Sequence, residues 1–229
     1  SYYCSQLVIL ATEVGDKTFF IAAILAMRNG RLVVYLGAMG ALAVMHVLSC
    51  LMGYALPALL PRTYTHFLGA ILFAYFGFKL LYDAREMGDG PSEELLEVEE
   101  ELISKKEGAG STPEPDIEED GGSGKNKVNV HQGVVGLIIT EWHIFSQVLT
   151  LTFLAEWGDR SQIATIALAS SRDLYGVIAG GLLGHAFCTG VAVIGGRMLA
   201  SRISEKSVAI VGGFLFLAFA VHSFVVGPL

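Results

Sequence analysis

Six stretches, at about 2–27, 32–56, 64–82, 144–170, 175–199 and 207–227, are predominantly apolar and about twenty residues or longer. Each is long enough to cross a bilayer as a helix. In lipid every backbone N–H and C=O must be bonded within the protein, so a spanning chain is helical or forms a closed barrel. These runs are long and do not alternate, which predicts helices. The chain is 53% hydrophobic with a mean hydropathy of +0.56, too apolar for a soluble domain. The expected class is an all-α polytopic membrane protein in a lipid bilayer.

The segment 86–132 interrupts this pattern. It is rich in Gly, Ser, Pro and Glu, and most of it has too little apolar surface to fold. Residues 86–120 carry a net charge of −12, which leaves the rest of the chain at +5 against a total of −7. The acidic balance therefore belongs to this segment and says nothing about a substrate. Within it, "SEELLEVEEELISKK" reads as a helix capped by Ser92, with acids in its first turns and lysines at its end. A solvated helix in a linker is the expectation, with partner binding or cation sensing as the other reading. Cys4, Cys50 and Cys188 are isolated in apolar runs and fit neither a disulfide framework nor a zinc site. The chain starts at Ser1 without a methionine, which leaves an N-terminal targeting segment open.

Three spans precede the linker and three follow it, and the halves superimpose in sequence with one offset of 143 and no gaps. Glu13, Gly15, Asp16, Lys17 and Thr18 fall on Glu156, Gly158, Asp159, Arg160 and Ser161. The register continues: Gly37 and Gly53 fall on Gly180 and Gly196, and Gly69, Leu72, Phe73 and Phe76 on Gly212, Leu215, Phe216 and Phe219. This reads as an internal duplication, with repeats at 1–85 and 133–229. Three spans end on the opposite side from where they began, so the second copy is inserted inverted, and six transmembrane helices form two inverted three-helix repeats. One side carries Arg28, Arg31, Arg85, Lys105, Lys106, Lys125, Lys127, Arg197, Arg202 and Lys206; the other carries Arg62 and Arg172. The excess places the linker in the cytosol and the termini on the lumenal side.

"EVGDKTFF" at 13–20 and "EWGDRSQI" at 156–163 put charge about twelve residues into otherwise apolar spans. On a continuous helix Glu13 and Asp16 share a face, as do Glu156 and Asp159. A charge at the bilayer centre costs about 2.5–3.5 kcal/mol on insertion scales, so four carboxylates must face a cavity, a cation or each other. Gly15 and Gly158 weaken the helix locally, and Thr18 and Ser161 add hydroxyl oxygens. The inverted two-fold would gather Glu13, Asp16, Glu156 and Asp159 around one point, a hard oxygen-rich site for Ca²⁺, Mn²⁺ or Mg²⁺. Crowded carboxylates repel one another, so an arriving divalent ion expels protons and its departure readmits them. That is the chemistry of a cation/proton antiporter. Lys17 and Arg160 either pair with a carboxylate when no ion is bound or snorkel to the interface. Buried ion pairs that only fix helix packing are the competing reading of the motif. His46 and His185 are either proton relays or hydrogen-bonded packing residues, and Gln6 and Gln147 either line a path or bond to a neighbouring helix. Gly37, Gly40, Gly180, Gly184, Gly195 and Gly196 permit close helix contact.

The paired motif resembles the duplicated E-x-G-D-[KR]-[TS] signature of the transmembrane protein 165 family of Golgi and plastid cation/proton exchangers. "GDKTFFIAAILAMR", "LTLTFLAEWGDRSQIATIALA" and "GVAVIGGRML" are similar to eukaryotic, Golgi-type members, and the acidic linker resembles the family's cytosolic loop. The resemblance implies exchange of Ca²⁺ and Mn²⁺ for H⁺, with the acids at 13, 16, 156 and 159 binding the ion. It implies a Golgi membrane, because plastid members read more like "EIGDKTFF" followed by "EWGDKSFF" where this chain has "EWGDRSQI"; a chloroplast or other endomembrane is the alternative. A passive cation channel with a carboxylate ring is the alternative function. No enzymatic activity, no cofactor and no nucleic-acid partner are expected, and a homo-oligomer is left open.

Overall fold

The computed structural model describes residues 2–59, 61–87, 93–108, 130–200 and 204–226. Among them the chain forms nine α-helices and no strand: α1 (Tyr2–Glu13), α2 (Lys17–Arg28), α3 (Arg31–Leu59), α4 (Arg62–Glu86), α5 (Glu93–Gly108), α6 (Val130–Glu156), α7 (Arg160–Ser171), α8 (Leu174–Ala200) and α9 (Glu205–Val226). Four segments are single helices long and apolar enough to cross a membrane: Arg31–Ala58, Thr63–Glu86, Leu174–Gly196 and Lys206–Val226. Their outer faces are apolar, with Phe78, Phe187, Ile194 and Val225 all exposed, as lipid contact requires.

The first and fourth expected spans are not single helices. Each breaks at its charged motif, because Gly15 (φ +79°) and Gly158 (φ +84°) sit in the left-handed region that ends a helix. The chain closes a four-residue turn, Asp16 N–H donating to the Glu13 carbonyl at 3.3 Å and Asp159 N–H to that of Glu156 at 3.2 Å. The next helix starts at once, with Phe20 N–H bonded to the Asp16 carbonyl and Ile163 N–H to that of Asp159. Glu13 and Asp16 therefore do not share the face of one helix, and neither do Glu156 and Asp159. Each Glu ends one half-helix and each Asp is the N-cap residue of the next.

The halves interlock. α3 lies along α6 and α7, α8 lies along α1 and α2, α3 and α8 cross each other, and α4 and α9 pack as a pair. Glycines set the closest crossings, and the sequence repeat reappears there as contacts. A Cβ on Gly37 would come 3.0 Å from the Phe145 carbonyl and 3.0 Å from Val148. A Cβ on the equivalent Gly180 would run into the Tyr2 carbonyl and approach Ser5, the residues that correspond to Phe145 and Val148. The third helices depart from this pairing. Gly69 of α4 faces Ala167 of α7, whereas its equivalent Gly212 of α9 faces Ala11 of α1 rather than α2. Gly196, inside α8, has a φ of +50° and kinks that helix beside Met27. Cys50 and Cys188 are buried, Cys4 is half-buried, and all three are free thiols, as small apolar residues would be.

The acidic linker helix is not wholly solvated. Leu95 and Val98 of α5 are buried, and Leu102 packs beside them, in one cluster with Phe19, Phe20 and Ile24 of α2. The 95, 98, 102 spacing puts an apolar stripe on one face. Lys17 bonds Glu97 at 3.2 Å, but both side chains are exposed, and such a pair adds about 0–1 kcal/mol. The apolar stripe holds α5 to α2. Ser92, expected as its cap, lies outside the described residues.

Three outcomes follow. Gly180→Val pushes α8 off α1 and destabilises the protein by about 1–3 kcal/mol, read as a lower thermal midpoint in detergent. A Cβ on Gly158 would meet nothing within 4 Å, so Gly158→Ala carries only the left-handed backbone cost of about 1–2 kcal/mol, and Gly158→Asn costs less in the same melts. Val98→Asp releases α5, seen as fast amide exchange over 93–108 with the other helices unchanged.

Candidate metal centre

Two helix C-termini and two helix N-termini meet at the breaks. α1 and α6 end on glutamates, and a helix C-terminus carries free carbonyls and partial negative charge, which favours a cation. α2 and α7 start behind aspartates, where an anion is stabilised by the opposite end of the dipole. The crossings of α3 and α8 over the half-helices of the other repeat bring these ends together.

Ligand oxygens of Glu13, Glu156 and Asp159 lie within 4.8 Å of one another. Oxygens at this spacing are within reach of a common divalent ion, since Ca²⁺–O distances are about 2.3–2.6 Å. Glu13 and Glu156 are each only 2% exposed. Thr18 Oγ1 donates to Glu13 Oε2 at 3.3 Å, and Ser161 Oγ to Glu156 Oε1. The remaining oxygens, Glu13 Oε1 and Glu156 Oε2, are buried without a hydrogen-bond partner. Thr18 and Ser161 thus hold one oxygen of each glutamate and leave the other free of hydrogen bonds.

Asp16 and Asp159 are equivalent in sequence but not in structure. Asp159 caps α7, its Oδ2 accepting from Ser161 N–H at 3.0 Å. Asp16 makes no side-chain cap bond, and its Oδ1 lies 3.4 Å from Arg160 Nη2. Arg160 Nε is also 3.8 Å from Asp159 Oδ1. Arg160 therefore pairs with carboxylates of both repeats, while its equivalent Lys17 points away to Glu97 of α5. One basic residue pairs with the acids of the motifs and the other with an acid of the linker helix. Of the four expected acids, three are gathered and Asp16 stands beside them on Arg160.

Two cavities flank this centre. One is lined by Thr12, Gly15, Asp16, Leu80, Met87 and Arg160, between the first break, the end of α4 and the start of α9. The other is lined by Met45, His46, Ser49, Glu156, Ser161 and His185. His46 is a packing residue: its Nε2 lies 3.2 Å from the Val177 carbonyl, and its ring fills the notch left by Gly181. His185 Nδ1 lies 3.7 Å from Glu13 Oε2. Gln147 is exposed and Gln6 half-buried, so Gln147 does not line the centre. Thr152 went unnoticed in the sequence. It is fully buried with no partner for its hydroxyl, one helical turn before Glu156. Its spacing from Glu156 was the available signal, but threonine is common in apolar helices.

Comparison with known proteins gives the family. A family model described as divalent cation/proton antiporter GDT1 matches residues 2–88 and 144–227, both halves without the linker. GDT1-like protein 3 of Arabidopsis thaliana is 44% identical over 227 residues, covering 99% of this chain and 71% of that protein. GDT1-like protein 4 of Oryza sativa subsp. indica is 42% identical over 231 residues, covering 100% and 74%. GDT1-like protein sll0615 of Synechocystis is 44% identical over 223 residues, covering 97% and 96%. No solved structure matches the chain. A match across both halves and identity at this level over nearly the whole length place the chain in the family that its paired motif resembled: it belongs to the GDT1 family of divalent cation/proton antiporters, which are transporters and not enzymes.

Proposed function

We propose that this protein exchanges Ca²⁺ and Mn²⁺ for protons across a Golgi-type membrane, through a site made by Glu13, Asp16, Glu156 and Asp159. The observation that carries the reading is the convergence of buried carboxylates from both halves, with Glu13 Oε1 and Glu156 Oε2 left unpartnered. Charge held this way in an apolar interior is costly unless a cation or protons neutralise it. A site that takes one or the other in turn couples their movements. All the gathered acids offer oxygen, the donor that Ca²⁺ and Mn²⁺ accept.

In this reading repeats 1–85 and 133–229 are inverted relative to each other and joined by the cytosolic segment 86–132. Each broken helix spans the bilayer with its break near the midplane, the arrangement many secondary transporters use. α1 and α7 are then the lumenal half-helices, and α2 and α6 the cytosolic ones. The α4–α9 pair packs on α7 and α1, while its contacts with α2 and α6 among the described residues are marginal at most. That asymmetry supports a state closed to the lumen and approached from the linker side, where the cleft reaches Asp16 and Arg160. Arg160 acts here as a tethered cation: it satisfies Asp16 between cycles and yields to the arriving ion. The Golgi assignment rests on the wording of the second motif, "EWGDRSQI".

In sealed proteoliposomes with the membrane potential clamped, an acidic lumen drives Ca²⁺ and Mn²⁺ uptake, and collapsing the pH gradient stops it. Glu156→Gln reduces this flux to background while the protein still inserts and folds. Flux indifferent to the pH gradient would identify a passive channel, and normal flux in Glu156→Gln would place the site elsewhere.

A further inference from the structure

The repeat implies a site built equally from both halves and only from oxygen. One buried nitrogen breaks that rule. His185 is 3% exposed, its Nδ1 has no hydrogen-bond partner, and that atom lies 3.7 Å from Glu13 Oε2. Buried polar atoms in folded proteins are nearly always partnered. Besides Thr152 Oγ1, the described residues leave three such atoms, Glu13 Oε1, Glu156 Oε2 and His185 Nδ1. Two belong to the gathered acids and the third faces one of them.

The fold delivers this nitrogen deliberately close. His185 sits on α8, and the preceding Gly184 lets α8 close on α1 near Ile9, one turn before Glu13; a Cβ there would come 3.0 Å from Ile9. His46 meets the His185 ring edge-on at 5.3 Å and fixes its plane, while His46 itself is bonded to the Val177 carbonyl. The duplication supplies no second copy. The position equivalent to His185 is Leu42, which is buried and apolar. The second half therefore brings an imidazole to the first half's glutamate, and the first half returns only a leucine.

We infer that His185 is a ligand of the transported ion through Nδ1, and that it biases the site toward transition-metal divalents such as Mn²⁺ over Ca²⁺ and Mg²⁺. Imidazole suits first-row transition metals, and Mn²⁺, although it sits at the weak end of that series and also takes oxygen, accepts a nitrogen donor more readily than Ca²⁺ or Mg²⁺, which bind oxygen almost exclusively. This rests on the exchange site proposed above and names what selects within it.

The test uses the full chain in nanodiscs and proteoliposomes. With Mn²⁺ bound, pulsed electron paramagnetic resonance shows ¹⁴N coupling from a directly bound imidazole in the unaltered protein. The coupling disappears in His185→Gln and persists in His46→Gln. In competition assays, His185→Gln lowers the ratio of Mn²⁺ to Ca²⁺ transport about tenfold. A histidine that merely pairs with Glu13 would change neither the ratio nor the spectrum, and that result would overturn the inference. If Mn²⁺ binds without ¹⁴N coupling and Glu156→Gln removes the binding, the carboxylate site stands and His185 is excluded from it. If Glu156→Gln leaves Mn²⁺ binding intact, the site itself is misplaced, and the inference falls with it.

Discussion

Everything in this fold answers to the burial of carboxylates at two helix breaks. An unneutralised carboxylate in an apolar interior is among the most costly groups a protein can hold. Glu13 and Glu156 are nonetheless almost wholly buried, so the surroundings must be arranged around them. The left-handed glycines end α1 and α6 at the glutamates. Thr18 and Ser161 each hold one oxygen. The glycines of α3 and α8 let the two breaks approach across the repeat boundary. Remove the breaks and the acids would point along two continuous helices, with the free carbonyl ends and amide ends lost as well.

The repeat is nearly symmetric in the glycine contacts that bring the two breaks together and unequal in how the charged side chains around them pair. Gly37 on Phe145 and Gly180 on Tyr2 are the same contact made twice. The inequalities are few and local: Asp159 caps its helix while Asp16 pairs with Arg160, Lys17 turns to α5, and α9 rests on α1 where strict symmetry would put it on α2.

The docking of α5 shows how a composition argument can miss a packing one. The segment is so acidic that its apolar residues looked incidental. Yet Leu95, Val98 and Leu102 recur at helical spacing, and α2 offers an apolar face where they bury. Net charge describes the solvent face of such a helix and says little about the other.

The sequence by itself determined the all-helical class and showed one charged motif spelled twice in register, because hydropathy, register and charge in an apolar run are one-dimensional signals. It also determined that each motif holds a glycine able to break a helix. Only the tertiary structure decided that both glycines are left-handed, so that each Glu and Asp lie on opposite sides of a break. Only it separated Lys17 from Arg160 and placed His185 beside Glu13. These outcomes depend on which helix crosses which, and α8 meets α1 from more than 170 residues away in the chain. Two motifs of equal spelling carry no record of the unequal neighbours that folding gives them.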